Sequence, residues 1–202
     1  MAIRQALAGV LFACACGLGA AAPGQAQQVD PGFLRMWEAA QRQRPTPLAA
    51  ASRIAPAGEP GQPLVLRGRL LEADGRTPVS GAVIFAYQTD REGHYDRPGG
   101  DGWRLKGWAR TDSDGRFEFT TIRPGPYPGR QIAAHVHLGV DGPPGQRRTL
   151  RDVLFEGDTR LSRAELERSR LDREFGNVRP ARVVGGVQMV DILLRLPGDF
   201  VF

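Results

Sequence analysis

Short apolar segments separated by Asp-Gly turns recur through most of this chain, and they constrain its fold more than any other feature. The turns stand at Asp74-Gly75 and Asp114-Gly115, and this dipeptide favours the tight turn of a β-hairpin. Strands are predicted at 64–70, 82–87, 108–111, 116–120, 133–140, 150–155 and 187–196. The 26 Gly and 16 Pro residues agree with many turns and short strands. The pattern predicts an all-β fold, a β-sandwich of mostly antiparallel strands.

Two short helices are predicted beside the strands, one near the N-terminus and one near the C-terminal third. The first covers 30–44, where Asp30 is a suitable N-cap and Pro31 occupies the first helical position. Its apolar residues are expected to cover part of the sandwich or a neighbouring subunit. The second covers 162–173, where Ser162 and Glu165 have the spacing of a capping box.

The first 26 residues have the pattern of an export signal. Arg4 precedes an apolar run of small residues at 6–22, and Gly-Gln-Ala at 24–26 suits a signal peptidase. The run is short and rich in Gly and Ala, which disfavours a membrane anchor. Cys14 and Cys16 lie inside it, so the mature chain has no cysteine. Lipidation at either cysteine is disfavoured because Phe12 is bulky. A secreted or periplasmic protein is expected.

The predicted division of the chain is therefore a signal peptide at 1–26, a helix with a Pro/Gly-rich extended linker at 27–63, and a sandwich domain at 64–202. The net charge is +5, from 27 Lys+Arg against 22 Asp+Glu. The arginines are scattered among acids without interleaved aromatic residues, which favours a solvated surface. Neither a nucleic-acid partner nor a membrane span is predicted.

His135-Val136-His137 is the sharpest local signal for chemistry. Residues i and i+2 of a strand point to the same face, so both imidazoles project into one space. Two neutral imidazoles there can bind a transition metal. The alternative, two hydrogen-bonded or surface histidines, stays open on the pair alone.

Two tyrosines suggest further ligands. Tyr127 lies in a turn between Pro126 and Pro128, which fix its backbone, and Tyr95 follows His94. A strongly charged cation can deprotonate a phenol well below its ordinary pKa of about 10. Two phenolates and two imidazoles match Fe(III) better than Zn(II) or Cu(I). The alternatives are a packed aromatic for Tyr127 and a loop tip for Tyr95.

The order of these motifs resembles that of the intradiol ring-cleavage dioxygenases, the catechol and protocatechuate dioxygenases. The specific elements are Tyr95, Pro-Gly-Pro-Tyr-Pro at 124–128, His-X-His at 135–137 and Phe-X-Gly-Asp at 155–158. Weaker Asp-Gly and Pro-X-X-Gly-Ala elements extend the resemblance over 54–195, most of the mature chain.

The resemblance implies a non-haem Fe(III) centre, one ion per chain, with Tyr95 and His135 as equatorial ligands and Tyr127 and His137 as axial ligands. It further implies a catechol-type substrate, O₂ as the second substrate, and ring opening between the two hydroxylated carbons to a muconate-type diacid. Tyr127 would leave the iron when substrate binds. A homo-oligomer is also consistent with the family.

Two departures from the family pattern bear on catalysis. Relatives usually carry an arginine three residues before the first histidine, where this chain has Ile132, and the role is assigned here to Arg130. Several relatives have Gln where this chain has Asp152, an acid expected to repel a catecholate. Two alternatives therefore remain open: a secreted, non-catalytic sandwich binding module, and an iron-binding homologue with altered activity.

Overall fold

The structure is a computed structural model that describes residues 30–98, 100, 102–142, 146–198 and 200–201. The predicted signal peptide, 1–26, lies outside the described residues, and the predicted domain boundaries stay predictions. The described residues form two α-helices, α1 at Pro31–Gln41 and α2 at Arg163–Leu171. Neither is long and apolar enough to cross a bilayer.

Strands make up most of the described chain. They are β1 (Ala51–Arg53), β2 (Pro63–Leu71), β3 (Val83–Gln88), β4 (Leu105–Arg110), β5 (Arg116–Ile122), β6 (His135–Asp141), β7 (Arg148–Thr149), β8 (Val153–Phe155), β9 (Val178–Arg179), β10 (Arg182–Val184), β11 (Val187–Arg195) and β12 (Phe200–Val201). A short 3₁₀ helix at Arg173–Phe175 follows α2.

The strands form two sheets. The first has the order β1-β5-β2-β11-β10, and the second has the order β12-β7-β6-β3-β4, with β8 beside β6 and β9 beside β8. Most neighbouring pairs among the described strands are antiparallel. The pairs β1–β5, β2–β11 and β8–β9 are parallel.

The core lies between the two sheets. Alternate residues of β2, such as Leu64 and Leu66, are fully buried from one side, and Ile84 and Val136 are buried from the other. This alternation is the strand period of two, and burial of these side chains supplies the main stabilisation. The prediction of a mostly antiparallel, all-β sandwich is confirmed.

Helix α1 covers the outer face of the second sheet. The Asp30 carboxylate accepts hydrogen bonds from the first backbone N–H groups, as the N-cap prediction requires. Trp37 is 1% exposed and packs edge-on against Phe85, with ring centroids 4.8 Å apart. A Cβ on Gly139 would lie 2.6 Å from the Trp37 ring, so glycine permits this close approach. The helix thus covers the protein's own sandwich.

The segment 49–63 is more than the extended linker that its Pro and Gly content suggested. Within it, β1 pairs in parallel with β5, and Ile54 and Ala55 are buried in the core. Proline has no backbone N–H to donate to a neighbouring strand, and the three residues of β1 include no proline. The segment is therefore packed as part of the sandwich.

The second helix has the predicted capping box. The Ser162 hydroxyl accepts from the Glu165 N–H at 3.2 Å, and the Glu165 carboxylate accepts from the Ser162 N–H at 2.7 Å. The buried Ser169 hydroxyl accepts from the Val178 N–H at 2.9 Å and attaches α2 to β9.

Candidate metal centre

The two histidines of β6 project from the same face of the strand, away from the core. Val136 and Leu138, which alternate with them, belong to the core between the sheets. The Nε2 atoms of His135 and His137 lie 3.0 Å apart, and their rings are nearly perpendicular, at 84°. The pair presents two nitrogen donors to one point on the outer side of the second sheet.

The two tyrosines reach the same point from separate loops. Tyr95 lies between β3 and β4, and Tyr127 lies between β5 and β6. Hydrogen bonds join the loops: the Thr89 hydroxyl donates to the Gly125 carbonyl at 2.7 Å, and the Gly125 N–H donates to the Asp90 carbonyl at 2.7 Å. The two phenols therefore depend on loop-to-loop packing.

Two glycines allow these loops to approach. Gly93 has a φ of +90°, and a Cβ there would lie 2.0 Å from the Pro126 carbonyl oxygen. A Cβ on Gly125 would lie 2.3 Å from the Arg91 carbonyl oxygen. Real Cβ atoms do not come so close to backbone oxygen, so both positions require glycine.

Four donor atoms converge as a result. The Tyr95 hydroxyl lies 2.7 Å from His137 Nε2, and the Tyr127 hydroxyl lies 3.1 Å from His135 Nε2 and 3.4 Å from His137 Nε2. The two hydroxyls contact each other. Metal–nitrogen and metal–oxygen bonds of about 2 Å place neighbouring ligand atoms about 3 Å apart. The spacing fits a shared coordination sphere.

Each imidazole is oriented by a partner on its other nitrogen. His135 Nδ1–H donates to the Ala133 carbonyl at 2.7 Å, and His137 Nδ1–H donates to Asp152 Oδ1 at 2.7 Å. Such partners fix the tautomer that leaves Nε2 free to bind a metal. Asp152 was expected only to repel anions near the site; the structure gives it this additional contact with His137.

Burial and mutual contacts shift the pKa values of three of the four side chains. Burial raises the pKa of Tyr95, and the hydrogen bond with Tyr127 raises it further. Burial also raises the pKa of Tyr127, and the hydrogen bond with Tyr95 opposes that rise. Burial lowers the pKa of His135, and the charge of His137 acts in the same direction. Both phenols are therefore protonated at neutral pH unless a strongly charged cation displaces their protons.

A second grouping of ligand atoms uses Asp152 in place of the tyrosines. One ligand atom each from His135, His137 and Asp152 lie within 4.8 Å of one another. Asp152 is hydrogen-bonded to Nδ1 of His137, however, while Tyr95 and Tyr127 face Nε2 of the same ring. The Asp152 Oδ1 atom is thus engaged at the ring nitrogen of His137 that does not face the cluster. The set of two tyrosines and two histidines is the more consistent arrangement, and its hard oxygen donors suit Fe(III).

Comparison with known proteins gives the family. Residues 40–189 match a family model described as "Dioxygenase", which is more than half of the chain. The chain belongs to the intradiol ring-cleavage dioxygenase family. The sequence resemblance is confirmed.

Curated members of this family resemble the chain over part of their length. The chain is 33% identical over 162 residues to 6-chlorohydroxyquinol 1,2-dioxygenase from Cupriavidus pinatubonensis. This alignment covers 71% of this chain and 55% of that relative. It is 32% identical over 118 residues to the protocatechuate 3,4-dioxygenase beta chain from Burkholderia cepacia, covering 52% and 50%. The chain thus spans about half the length of the curated relatives it matches.

Solved dioxygenase structures share the fold. The dioxygenase domain of a carbohydrate-binding fusion protein from Streptomyces sp. SirexAA-E superimposes with a TM-score of 0.55 at 24% identity, covering 77% of this chain and 94% of that one. The 3-chlorocatechol 1,2-dioxygenase of Rhodococcus opacus 1CP gives a TM-score of 0.54 at 19% identity, covering 75% and 64%.

The arginine assigned by sequence to this dioxygenase-family site lies at its edge. Arg130 is exposed in the turn after Tyr127, and its N–H donates to the Tyr127 carbonyl at 3.2 Å. Its charge has a small lowering effect on the pKa of Tyr127, whose dominant influence is burial. Its side chain has no hydrogen bond with any residue that the structure describes. The catalytic role of Arg130 stays a prediction.

Sequence reasoning did not identify the wall of the dioxygenase-family site formed by Tyr87. Tyr87 pairs with His137 across β3 and β6, and its ring stacks on the His137 ring with centroids 4.5 Å apart. Trp103 stacks on the other side of Tyr87 at 3.8 Å. The pairing of two strands distant in sequence creates this contact, so only the register of the sheet would have revealed it.

A pocket of about 290 Å³ lies directly against the cluster. His135 and Asp152 line it on the side of the cluster, Ile132 and Leu154 add apolar surface, and Glu165 of α2 lines another side. A pocket of this size next to potential metal ligands is suited to a small aromatic molecule. The sequence had indicated α2 but not its position over this pocket.

Proposed function

We propose that this protein is a non-haem Fe(III) dioxygenase that opens the ring of a catechol-type substrate between its two hydroxylated carbons, using O₂, to give a muconate-type diacid. The observation that supports this most strongly is the convergence of the Tyr95, Tyr127, His135 and His137 donor atoms in a chain of this family. These four residues would hold one Fe(III) per chain. The ion would supply the charge that activates the bound ring toward O₂.

The two tyrosines would have different tasks. The family resemblance implies that Tyr127 is the tyrosine displaced by substrate and that Tyr95 stays in place. The phenolate oxygen of Tyr127 would accept one catechol proton, and the second proton would leave to solvent. Burial, which raises the pKa of Tyr127, favours this protonated form once the residue has left the cation.

The remaining residues would position and shield. The Ala133 carbonyl and the Asp152 carboxylate would keep both imidazole Nε2 atoms directed at the cation. The stacked rings of Tyr87 and Trp103 would exclude water from the α1 side of the site. The pocket beside His135 would receive the substrate ring.

The decisive experiment measures iron content, the visible spectrum and O₂ uptake with several catechols on the purified protein. The expected result is stoichiometric iron, a visible band from tyrosinate-to-iron charge transfer, and O₂ consumption with one mole of diacid per mole of O₂. Colourless protein that does not retain Fe(III) would instead favour the non-catalytic binding module. Coloured protein without O₂ uptake would favour an iron-binding homologue.

Matched variants connect the spectrum to the proposed ligands. Tyr95→Phe and His137→Ala should abolish or shift the visible band. His94→Ala is the control, since His94 is exposed and its side chain makes no hydrogen bond within the described residues. A band that survives both ligand substitutions unchanged would exclude the proposed ligand set.

We also propose that the protein is exported and acts outside the cytoplasm. The support is the sequence of residues 1–26 alone. N-terminal sequencing of protein recovered from an exporting host should begin at Gln27, and an intact N-terminus would contradict the proposal.

A further inference from the structure

The pocket beside His135 has charged groups of both signs in its wall, and Arg151 and Glu165 are already engaged by neighbouring side chains. Arg151 forms an ion pair with Asp172. The Glu165 carboxylate accepts from both the Ser162 N–H and the Ser162 hydroxyl, each at 2.7 Å. Because these groups are engaged by the protein's own contacts, they affect the shape and the electrostatic field of the pocket. They offer a bound ligand less free hydrogen-bonding capacity.

Asp152 differs because only one of its carboxylate oxygens is engaged. Oδ1 accepts from His137 Nδ1 at 2.7 Å, and Oδ2 accepts no hydrogen bond from any part of the chain that the structure describes. The carboxylate lines the pocket and contacts a residue of the donor cluster. It therefore places a charged side chain in the wall of the pocket that borders the cluster.

Arg168 lines the same pocket but is in a weaker position. It lies on the exposed side of α2, and its side chain has no hydrogen bond or ion pair within the described residues. An exposed arginine gains little from a nearby anion, because solvent screens the interaction. Asp152, which is next to the cluster and less exposed, should therefore dominate the choice of ring substituent.

We propose that Asp152 is a specificity-determining residue that selects catechols carrying an additional ring hydroxyl, the trihydroxybenzenes, over catechols carrying a carboxylate. This rests on the proposed function. A hydroxyl can donate to the free Oδ2, and charge-assisted hydrogen bonds are the stronger ones. A carboxylate would meet the like charges of Asp152 and Glu165 in a partly desolvated pocket, which costs binding energy. A site with an acceptor waiting for a hydroxyl also discriminates against the ring that lacks it.

One substitution reverses the polarity of this position while leaving the His137 contact in place. In Asp152→Asn the amide oxygen still accepts from His137 Nδ1–H, and an NH₂ group replaces Oδ2. The pocket then presents a donor instead of an acceptor. Glu165→Gln provides a second variant, since glutamine also completes a capping box and only the charge is lost.

The test compares three rings that differ at one position: catechol, 1,2,4-trihydroxybenzene and 3,4-dihydroxybenzoate, which carry hydrogen, hydroxyl and carboxylate there. The kcat/KM values come from O₂ uptake, with protein-free blanks because trihydroxybenzenes oxidise spontaneously. The Kd values come from anaerobic calorimetry, which does not depend on turnover. The control variant is Glu167→Gln, which removes the same charge from α2 at a residue that does not line the pocket.

The wild-type protein should prefer 1,2,4-trihydroxybenzene to 3,4-dihydroxybenzoate by roughly tenfold or more, the size expected for a hydrogen bond to a charged group. Asp152→Asn should reduce that ratio by roughly tenfold or more, Glu165→Gln should reduce it by a smaller factor, and Glu167→Gln should leave it unchanged. A wild-type preference for the carboxylate, or an unchanged ratio in Asp152→Asn with the visible band intact, would overturn the inference. If Asp152→Asn loses the band, the order of the wild-type Kd values for the three rings decides.

The proposed function and this inference fail in different ways. Absence of turnover with all three rings would contradict the dioxygenase proposal, while the order of the Kd values would still support or overturn the role of Asp152. Turnover with no discrimination among the rings would support the dioxygenase and overturn the inference.

Discussion

The two halves of the candidate site are built by different means. The histidine half rests on β6, where the strand period alone puts both imidazoles on one face and strand pairing holds the backbone. The tyrosine half rests on two loops whose contact depends on Gly93, Gly125 and the turn at Asp90. The strand positions the two imidazoles directly, whereas the loops need several supporting contacts to position the two phenols equally well.

If the proposed function holds, this difference should separate stability from metal affinity. Changes that disturb the loop half should destabilise the protein and also lose the metal, because loop packing and ligand placement are the same contacts. Changes in the partners of the histidine half should reduce metal affinity with little loss of stability, because the sheet holds β6 without them.

The largest effect is expected from Gly93→Ala. The added methyl group would overlap the Pro126 carbonyl oxygen, at 2.0 Å, and the φ of +90° is itself unfavourable for alanine. Unfolding free energy should fall by roughly 3 kcal/mol, and the visible band should disappear because the two phenols separate. Chemical denaturation and absorption spectra measure the two effects.

Gly81→Ala is the matched control for the backbone conformation. Gly81 has a φ of +74°, but a Cβ there would meet nothing within 4 Å. Its cost should be only the conformational one, about 1 to 2 kcal/mol, with the visible band retained. Equal losses in the two variants would show that steric contact between the loops does not maintain the tyrosine half.

A smaller effect, on metal affinity, is expected from Asp152→Ala in the histidine half. Loss of the Oδ1 partner frees the His137 ring to rotate, and removal of such a partner lowers metal affinity roughly 10- to 100-fold. Stability should change little, since the Asp152 side chain is 40% exposed. Competition with a chelator measures the affinity, and thermal unfolding measures stability. An affinity equal to that of the wild type would mean that the sheet alone orients His137.

Local sequence pattern predicted that the two histidines lie together, but it predicted no contact between the two candidate tyrosines. Two residues of spacing in a strand were enough to place His135 and His137 together. Nothing local joins Tyr95 to Tyr127, which lie in loops after different strands, and only the family resemblance connected them. Their convergence follows from backbone contacts between residues distant in sequence, such as Gly125 and Asp90.

Residues around the site were harder to predict for the same reason. Asp152 reaches His137 through the antiparallel pairing of β6 with β8, and Tyr87 reaches it through the pairing of β6 with β3. Sequence reasoning treated Asp152 only as a repelling charge, since the register that makes it a hydrogen-bond acceptor is a tertiary property. In contrast, Arg130 is close to Tyr127 in sequence, yet its side chain lies at the exposed edge.

The smallest effect, also in the loop half, concerns the ion pair behind Tyr95. The Arg104 guanidinium donates two hydrogen bonds of 2.7 Å to the Glu59 carboxylate. The backbone N–H of Arg104 donates to the Tyr95 carbonyl at 2.9 Å. The hydrogen bond with Arg104 lowers the pKa of Glu59 below its ordinary value of 4.5, against the opposing effect of burial. A lowered carboxylate pKa adds stability that is fully present above pH 4.5 and is lost as the pH falls through the lower, folded-state pKa.

Glu59→Gln should therefore lower stability by about 1 to 2 kcal/mol at pH 7, and the gap from the wild type should narrow once the pH falls below 4.5. Thermal unfolding at both ends of this range measures the gap. Glu118→Gln is the control, because its partner Arg67 and Glu118 itself are 53% and 37% exposed and solvent screens the pair. If the two variants behave alike at every pH, the Glu59–Arg104 pair does not stabilise the tyrosine loops, and loop-to-loop packing around the glycines must hold Tyr95 without it.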